Sequence, residues 1–295
     1  MVTLHDAVQD NDFAISHIVA SGALSLLRGA TGLANTVHRD AQEEFRGGVG
    51  DKVRIRRPEI LEAKNFAGSV NAMAKPIKEN TVELEITDQP LVATDLTDRE
   101  MRFSIADFET QVTGPQAAGV ADYLEQHIAN TISARSAANA LGLITMDPKN
   151  PRMAIIDAMT YLDKARVSGT RYLAVDPDVK NALMKDDNFS QVSQAGTAES
   201  LRGGVIGSAY GFVVVFSPYM KGAVAYVESA FAMAVCQPVA VRGTFSSGGS
   251  DRGYAMRWLL DFNGDTLKQR SVMDCYVGST VLDERRSVGL ALKSV

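Results

Sequence analysis

The sequence predicts an α+β protein built from several distinct parts, and three patterns carry that prediction. Apolar and polar residues alternate strictly over 52–56 and 81–87, and the period of two returns over 254–282, as in half-buried strands. Apolar residues recur every fourth position over 115–141, as they do on one face of a helix. The region 150–245 mixes short buried strands with helices. At 295 residues the chain is long enough for about two domains.

Composition excludes several classes of protein. Hydrophobic residues make up 45% and charged residues 22% of the chain, which is ordinary globular usage and excludes a disordered or collagen-like protein. Thirty Lys and Arg against 35 Asp and Glu give a net charge of -5, which disfavours a protein whose main task is to grip phosphate backbones. Cys236 and Cys275 are too few for a disulfide framework and fit a reducing compartment. No basic start precedes the apolar stretch 13–27, so we expect a protein made and kept in a cytoplasm.

The first 35 residues are rich in Ala, Ser, Gly and Leu and predict a loose helical arm, interrupted at Gly29 and Gly32. The next element is a pair of charged strands. One strand, 52–56, has cations on one face, and the other, 81–87, has carboxylates opposite its apolar face, so the two are natural antiparallel partners.

The connection between these strands, 63–80, is polar and contains three lysines. A two-stranded ribbon alone is at best marginally stable in water. We therefore expect its apolar row to be covered by another copy of the same chain, and we predict an inter-subunit interface there. The residues assigned to it are Lys52, Arg54, Arg56, Lys64, Lys75, Lys78, Glu83 and Glu85.

The central helix is predicted over 115–141. Pro115 suits the first helical turn, Gly142 can end the helix, and the length would be about 40 Å. Val120, Leu124, Ile128 and Ile132 form its apolar stripe.

An α/β module follows the helix. A helix is predicted around Ile155, and a short strand is predicted over 172–175. A second helix begins at Pro177, is capped by Asp176 and runs through Met184. Core strands are predicted over 212–216, 223–227 and 230–236. After them, Asn263-Gly264 predicts a hairpin whose return strand runs through Val272 and Tyr276.

No recognised catalytic motif is present. The Gly-rich stretch 203–211 lacks nucleotide-binding spacing and precedes a strand, whereas phosphate loops follow a strand and open a helix, so a turn is the better interpretation. The four histidines lack paired metal-ligand spacing. No catalytic, cofactor-binding or metal-binding residue is therefore predicted, and no cofactor is expected.

The order of these parts resembles the major capsid proteins of tailed bacteriophages, which have the Hong Kong phage capsid fold, and within them the coat proteins of short-tailed phages. The segments that carry the resemblance run from the arm into the extended loop, and through a turn and two strands of the α/β module. They are Asn35–Asp40, Glu44-Phe45, Gly50–Pro58, Gly207–Pro218 and Ala230–Ala234.

The resemblance implies a domain organisation. It places an N-terminal arm over 1–46, an extended β-hairpin loop over 47–95 and a peripheral domain with a long spine helix over 96–149. An axial α/β domain over 150–245 and a return to the peripheral β-region over 246–295 complete the chain.

The resemblance also implies a function. Subunits would assemble as hexamers and pentamers into an icosahedral shell that encloses double-stranded phage DNA, forming a virion capsid assembled in the host bacterial cytoplasm. The chain lacks a long acidic helical leader, so a separate scaffolding protein is expected, with portal and decoration proteins as further partners. No membrane partner is expected. Two alternatives stay open: an encapsulin-like bacterial nanocompartment shell protein, and a soluble α/β enzyme centred on 150–245.

Overall fold

The computed structural model describes residues 24, 32–39, 52–57, 65, 80–103, 107–137, 142–185, 205–239, 245–251 and 253–293. The strands are β1 (Lys52–Arg57), β2 (Asn80–Glu85), β3 (Leu91–Thr97), β4 (Ile144–Met146), β5 (Arg171–Val175), β6 (Val205–Ala209), β7 (Phe212–Phe216), β8 (Ala223–Val227), β9 (Phe231–Cys236), β10 (Phe245–Asp251), β11 (Tyr254–Asn263), β12 (Lys268–Asp274), β13 (Tyr276–Val281) and β14 (Ser287–Leu292). The helices are α1 (Asp98–Phe103), α2 (Gly114–Ser133), α3 (Pro151–Lys164) and α4 (Pro177–Met184). Short 3-10 turns span Leu33–Thr36, Ala134–Ser136, Glu228–Ala230 and Glu284–Arg286, and a π turn, Glu109–Thr113, leads into α2.

The largest sheet has six strands in the order β4-β14-β8-β5-β7-β6. Helices α3 and α4 cover one face, where Ile155 and Val179 pack with Leu173 of β5. The other face packs against α2, and the neighbouring β5 residue, Ala174, points there. The sheet therefore has buried residues on both sides, which explains why its strands read as continuous apolar runs in the sequence.

The strands of this sheet do not come from one continuous segment. Both β4 and β14 lie outside the predicted axial range 150–245, whereas β9, inside that range, pairs with β13 in a separate two-stranded sheet. Likewise β3, of which residues 91–95 fall within the predicted extended loop, pairs with β12 in the four-stranded sheet β10-β11-β12-β3. The predicted domain boundaries themselves stay predictions.

The predicted length of the central helix is wrong. The regular helix α2 ends at Ser133 and not near residue 141, so it measures about 30 Å. A 3-10 turn follows at once, and the carbonyl of Arg135 crosses β14 where a side chain on Gly289 would stand. The buried Arg135 side chain donates from Nε to the Ser287 hydroxyl, at 3.0 Å. This close packing makes the chain turn earlier than its helix propensity suggests.

The predicted return strand after Asn263-Gly264 is also corrected. Strand β12 ends at Asp274, and Tyr276 belongs to β13 in a different sheet. Cys275, between them, donates its backbone N–H to the Pro90 carbonyl at 3.3 Å. The predicted hairpin itself is present as β11 and β12, with the Asn263 side chain accepting from the Asp265 backbone N–H at 2.9 Å.

Other local predictions are confirmed. Asp176 accepts from the Val179 backbone N–H and caps α4, which runs to Met184. In the Gly-rich stretch, Tyr210 and Gly211 both have positive φ and form a two-residue turn between β6 and β7. Among the described residues, no helix combines the length and apolar character needed to cross a membrane.

Candidate assembly interface

The charged hairpin forms in the register that its charges predict. β1 and β2 are antiparallel, with Lys52 opposite Glu85 and Arg54 opposite Glu83. The ion pairs measure 3.0 Å and 3.2 Å, and Arg56 lies on the same exposed face. Since all four paired side chains are about half exposed or more, each pair contributes at most about 1 kcal/mol to the subunit. The charges therefore set the strand register more than they stabilise the fold.

The apolar face of the hairpin corrects our expectation about its cover. Val53 and Leu84 are buried within their own chain, where Leu84 packs against Ala234 of β9. The prediction that the apolar row depends on another copy is therefore wrong at the base of the hairpin, because β9 is apolar enough to be covered on both faces. One pair further from the base, Ile55 and Val82 are only half buried.

The base of the hairpin is fixed to β13 by backbone contacts. The backbone N–H groups of Thr87 and Asp88 both donate to the Val277 carbonyl at 3.1 Å, and the Val277 N–H returns a bond to Asp88 at 2.9 Å. Gly278 lies directly beneath, with the Glu85 carbonyl occupying the space that a side chain would need. These contacts fix the base of the hairpin against β13.

A polar contact ties the same base to the spine helix α2. The Asp88 carboxylate accepts from the Tyr123 hydroxyl at 2.8 Å and lies 3.1 Å from Nδ1 of His127. Burial lowers the pKa of His127 below its ordinary value, although Asp88 opposes this effect. The Asp88 side chain at the hairpin base therefore contacts two residues of α2 that lie one helical turn apart.

The N-terminal arm is held on the opposite side of α2 by a buried carboxylate that our sequence interpretation missed. Glu125 accepts from the backbone N–H groups of Gly32, Leu33 and Ala34, at 3.1, 2.7 and 3.4 Å. It thereby satisfies the open donors at the start of the 3-10 turn. Burial raises the pKa of Glu125, and these three backbone donors partly offset that rise. The sequence feature that could have revealed this buried carboxylate is the position of Glu125, one residue after Leu124 within the apolar stripe of the helix.

Two further contacts continue this attachment. The Thr36 and Tyr226 hydroxyls are 2.5 Å apart in a buried site, and burial raises the pKa of Tyr226. The Arg39 guanidinium lies 3.6 Å from the centre of the Tyr254 ring, a cation-π contact. The segment 33–39 is therefore fixed to the body of the chain, and the prediction of a loose arm over 1–35 is wrong at 33–35.

A second apolar row loses its cover toward a hairpin tip. On β11, Tyr254, Met256 and Trp258 are buried, Leu260 is half buried, and Phe262 is 54% exposed. Leu267, in the adjoining turn, is 62% exposed.

Of the predicted interface residues, Lys64, Lys75 and Lys78 lie outside the described residues, and the other five lie together on β1 and β2.

The described residues offer little for catalysis. Burial raises the pKa of the Cys275 thiol, which makes it a poor nucleophile. No group of three or more His, Cys, Asp or Glu side chains that could hold a metal ion occurs among the residues that the structure describes.

Comparison with protein families decides the identity. The model of the family described as "Phage capsid protein" matches residues 92–285, which is more than half of the chain. The chain belongs to the phage capsid protein family. A comparison with curated proteins finds no match.

Solved structures show that the capsid protein shares its fold with shell proteins. A protein of Mycobacterium phage Che8 is 19% identical with a TM-score of 0.61, over 88% of this chain and 90% of that one. The capsid of Ralstonia phage GP4 is 14% identical with a TM-score of 0.59, over 82% and 83%. A virus-like particle from Pyrococcus furiosus is 13% identical with a TM-score of 0.52, over 92% and 97%. The predicted tailed-phage capsid fold is confirmed.

Proposed function

We propose that the capsid protein is the major shell subunit of a tailed phage and that its copies associate as hexamers and pentamers around double-stranded DNA. The family match over residues 92–285 is the observation that carries this proposal. The protein acts by binding its own copies, not by making or breaking bonds. The virion capsid, assembled in the host cytoplasm, is its place of action.

Incomplete apolar cover on both hairpins supports self-association. Ile55 and Val82 on the charged hairpin are half buried, and Phe262 on the β11–β12 hairpin is 54% exposed, so apolar surface remains open to solvent. Burying such surface contributes roughly 25 cal/mol per Å². A neighbouring copy supplies this cover, and the outer part of the charged hairpin, with Lys64, Lys75 and Lys78, lies over that neighbour.

The charge of the chain supports a container more than a DNA clamp, because a net charge of -5 does not favour general phosphate binding. Scaffolding, portal and decoration proteins are the further partners that this function requires. The encapsulin-like alternative is less well supported, because the family match is to phage capsid proteins. The same match supports a structural protein over a soluble enzyme.

The test is expression of the full chain with a scaffolding gene from its genomic neighbourhood, followed by electron microscopy. Closed particles are expected. The neighbouring genes separate the two kinds of shell: terminase and portal genes indicate a phage, and a gene for a cargo enzyme indicates a nanocompartment. Deleting 64–78 should abolish particles while the unfolding midpoint of the subunit stays unchanged.

A charge-reversal variant complements that deletion. Replacing Lys64, Lys75 and Lys78 with Glu should impair particle formation, whereas the matched change at Lys149, Lys185 and Lys221 should not. Normal particles from both the deletion and the first triple variant would contradict the proposed role of the loop.

A further inference from the structure

A cationic pocket is formed by two segments, one next to helix α3 and one next to strand β14. It has a volume of about 460 Å³. It is enclosed by the end of helix α3 with the loop that follows it, and by the 3-10 turn before β14. The lining residues are Tyr161, Lys164, Ala165, Arg166, Val167, Ser168, Asp283, Arg285 and Arg286.

The charge of this pocket opposes that of the whole chain. Four of its lining residues are cations, and Asp283 is the one carboxylate among them. The two acids adjacent in the chain to lining residues have other partners: Asp163 lies 2.6 Å from Arg171, and Glu284 lies 3.6 Å from Arg135. The pocket therefore has an excess of positive charge within a chain of net charge -5.

Asp283 arranges two of the arginines. Its buried carboxylate accepts from Nε and Nη2 of Arg285, both at 3.1 Å, and lies 3.5 Å from Nε of Arg286. The Arg286 guanidinium also donates from Nη1 to the Ser229 hydroxyl at 2.6 Å. Since each guanidinium carries five N–H donors, both retain donors after these contacts. The guanidinium groups of Arg285 and Arg286 are thus oriented before any ligand binds.

Arg166 occupies a position where glycine is usual. It is the second residue after the end of α3, next to the cap residue Ala165, with φ of 55°, and the Val167 N–H bonds back to the Leu162 carbonyl at 3.2 Å. This is a Schellman helix end, whose left-handed residue is usually Gly because a side chain there is strained. An arginine held in that conformation brings a third guanidinium to the pocket at a cost to local stability.

We propose that this pocket binds phosphate groups. Arginine forks match phosphate oxygens in bidentate geometry, and three of them with Lys164 surround a space large enough for several phosphates. The apolar lining is small, limited to Ala165, Val167 and the Tyr161 ring, so an acidic peptide would find few apolar anchors. The phosphates come either from a nucleic acid backbone or from a free polyphosphate.

The experiment measures binding of sodium tripolyphosphate and of a labelled short DNA duplex to the purified full chain, at about 50 mM and about 200 mM salt. Arg166→Gly removes one guanidinium and restores the usual helix end, so the variant should fold at least as well as the parent. Arg285→Gln removes a second. Each should weaken tripolyphosphate binding about fivefold to tenfold, whereas the control Lys149→Gln, at the other end of α3, should leave it unchanged.

The outcomes separate the possible sources. Weakened duplex binding in the same two variants assigns the site to nucleic acid, and an effect on tripolyphosphate alone assigns it to a free polyphosphate. The proposal is overturned if neither phosphate probe binds, if Lys149→Gln loses as much affinity, or if hexaglutamate binds as tightly as tripolyphosphate. Particle formation by Arg166→Gly, checked by electron microscopy, keeps this test separate from that of shell assembly.

Discussion

The backbone carbonyl of Glu85 occupies the space that a β-carbon at position 278 would need, so Gly278 lets the charged hairpin cross β13 at close range. The neighbouring contacts between Asp88 and Val277 fix that crossing. The close packing of the hairpin base on β13 therefore depends on the absence of one side chain.

Replacing Gly278 with Ala should displace the hairpin base, because the obstructing atoms are backbone and cannot swing aside. We expect a loss of about 1–3 kcal/mol in the free energy of unfolding, measured with urea, and fewer particles in electron micrographs. Gly264→Ala is the matched control, since its β-carbon would meet nothing within 4 Å. Equal behaviour of the two variants would refute the importance of the crossing.

Exchanging charges across the hairpin tests the strand register. Arg54→Glu alone, or Glu83→Arg alone, places like charges opposite each other and should reduce particle yield. The subunit itself should change by less than about 1 kcal/mol, because the pair is exposed. The double exchange restores opposite charges, and particle yield should partly recover. Absence of any recovery would count against pairing as the function of these charges.

Removing the Glu125 carboxylate tests the attachment of the arm. Glu125→Ala leaves three backbone N–H groups without their acceptor and should cost about 1–3 kcal/mol in the free energy of unfolding. Limited proteolysis should then cleave near Gly32 sooner than in the parent chain. Asp122→Ala, a neighbouring acidic position on the same helix, is the control; similar cleavage in both variants would argue against the cap.

Glu125 also predicts a pH dependence with a definite sign. Because burial raises its pKa, the folded chain holds this proton more tightly than the unfolded chain does. Its contribution to stability therefore grows as the pH falls toward the raised pKa. Glu125→Gln removes this titration, so the stability of the parent relative to that variant should improve from about pH 7 to about pH 5 in urea unfolding. A difference that stays constant, or moves the other way, would show that the carboxylate titrates normally.

His127 should behave in the opposite sense. Its lowered pKa means that the unfolded chain takes up the proton more readily, so this group reduces stability as the pH falls below about 6.5. An NMR titration should place the His127 pKa below its ordinary value, and Asp88→Asn should lower it further by removing the nearby carboxylate. A rise in the pKa of His127 in that variant would contradict the assigned contact.

Much of the fold could be read from local patterns. The alternation around Val53 and Leu84, the cap at Asp176 and the turn at Asn263 each depend on neighbours close in the chain, and each occurs as predicted. The early end of α2 could not be read this way, because it depends on Arg135 packing over a glycine more than 150 residues further along. Nor could the cover of the hairpin, which required knowing that Ala234 lies beneath Leu84.

The sequence by itself determined the pairing of the charged strands, the central helix, the main elements of the α/β module and the resemblance to tailed-phage capsid proteins, because periodicity and turn chemistry act over a few residues. Only the tertiary structure decided which strands share a sheet, that Glu125 holds the arm and that Arg166 meets Arg285 in one pocket. Those facts join residues up to about 180 positions apart, as Leu91 and Asp274 are, and their energies arise from burial and close packing, which a linear pattern does not contain.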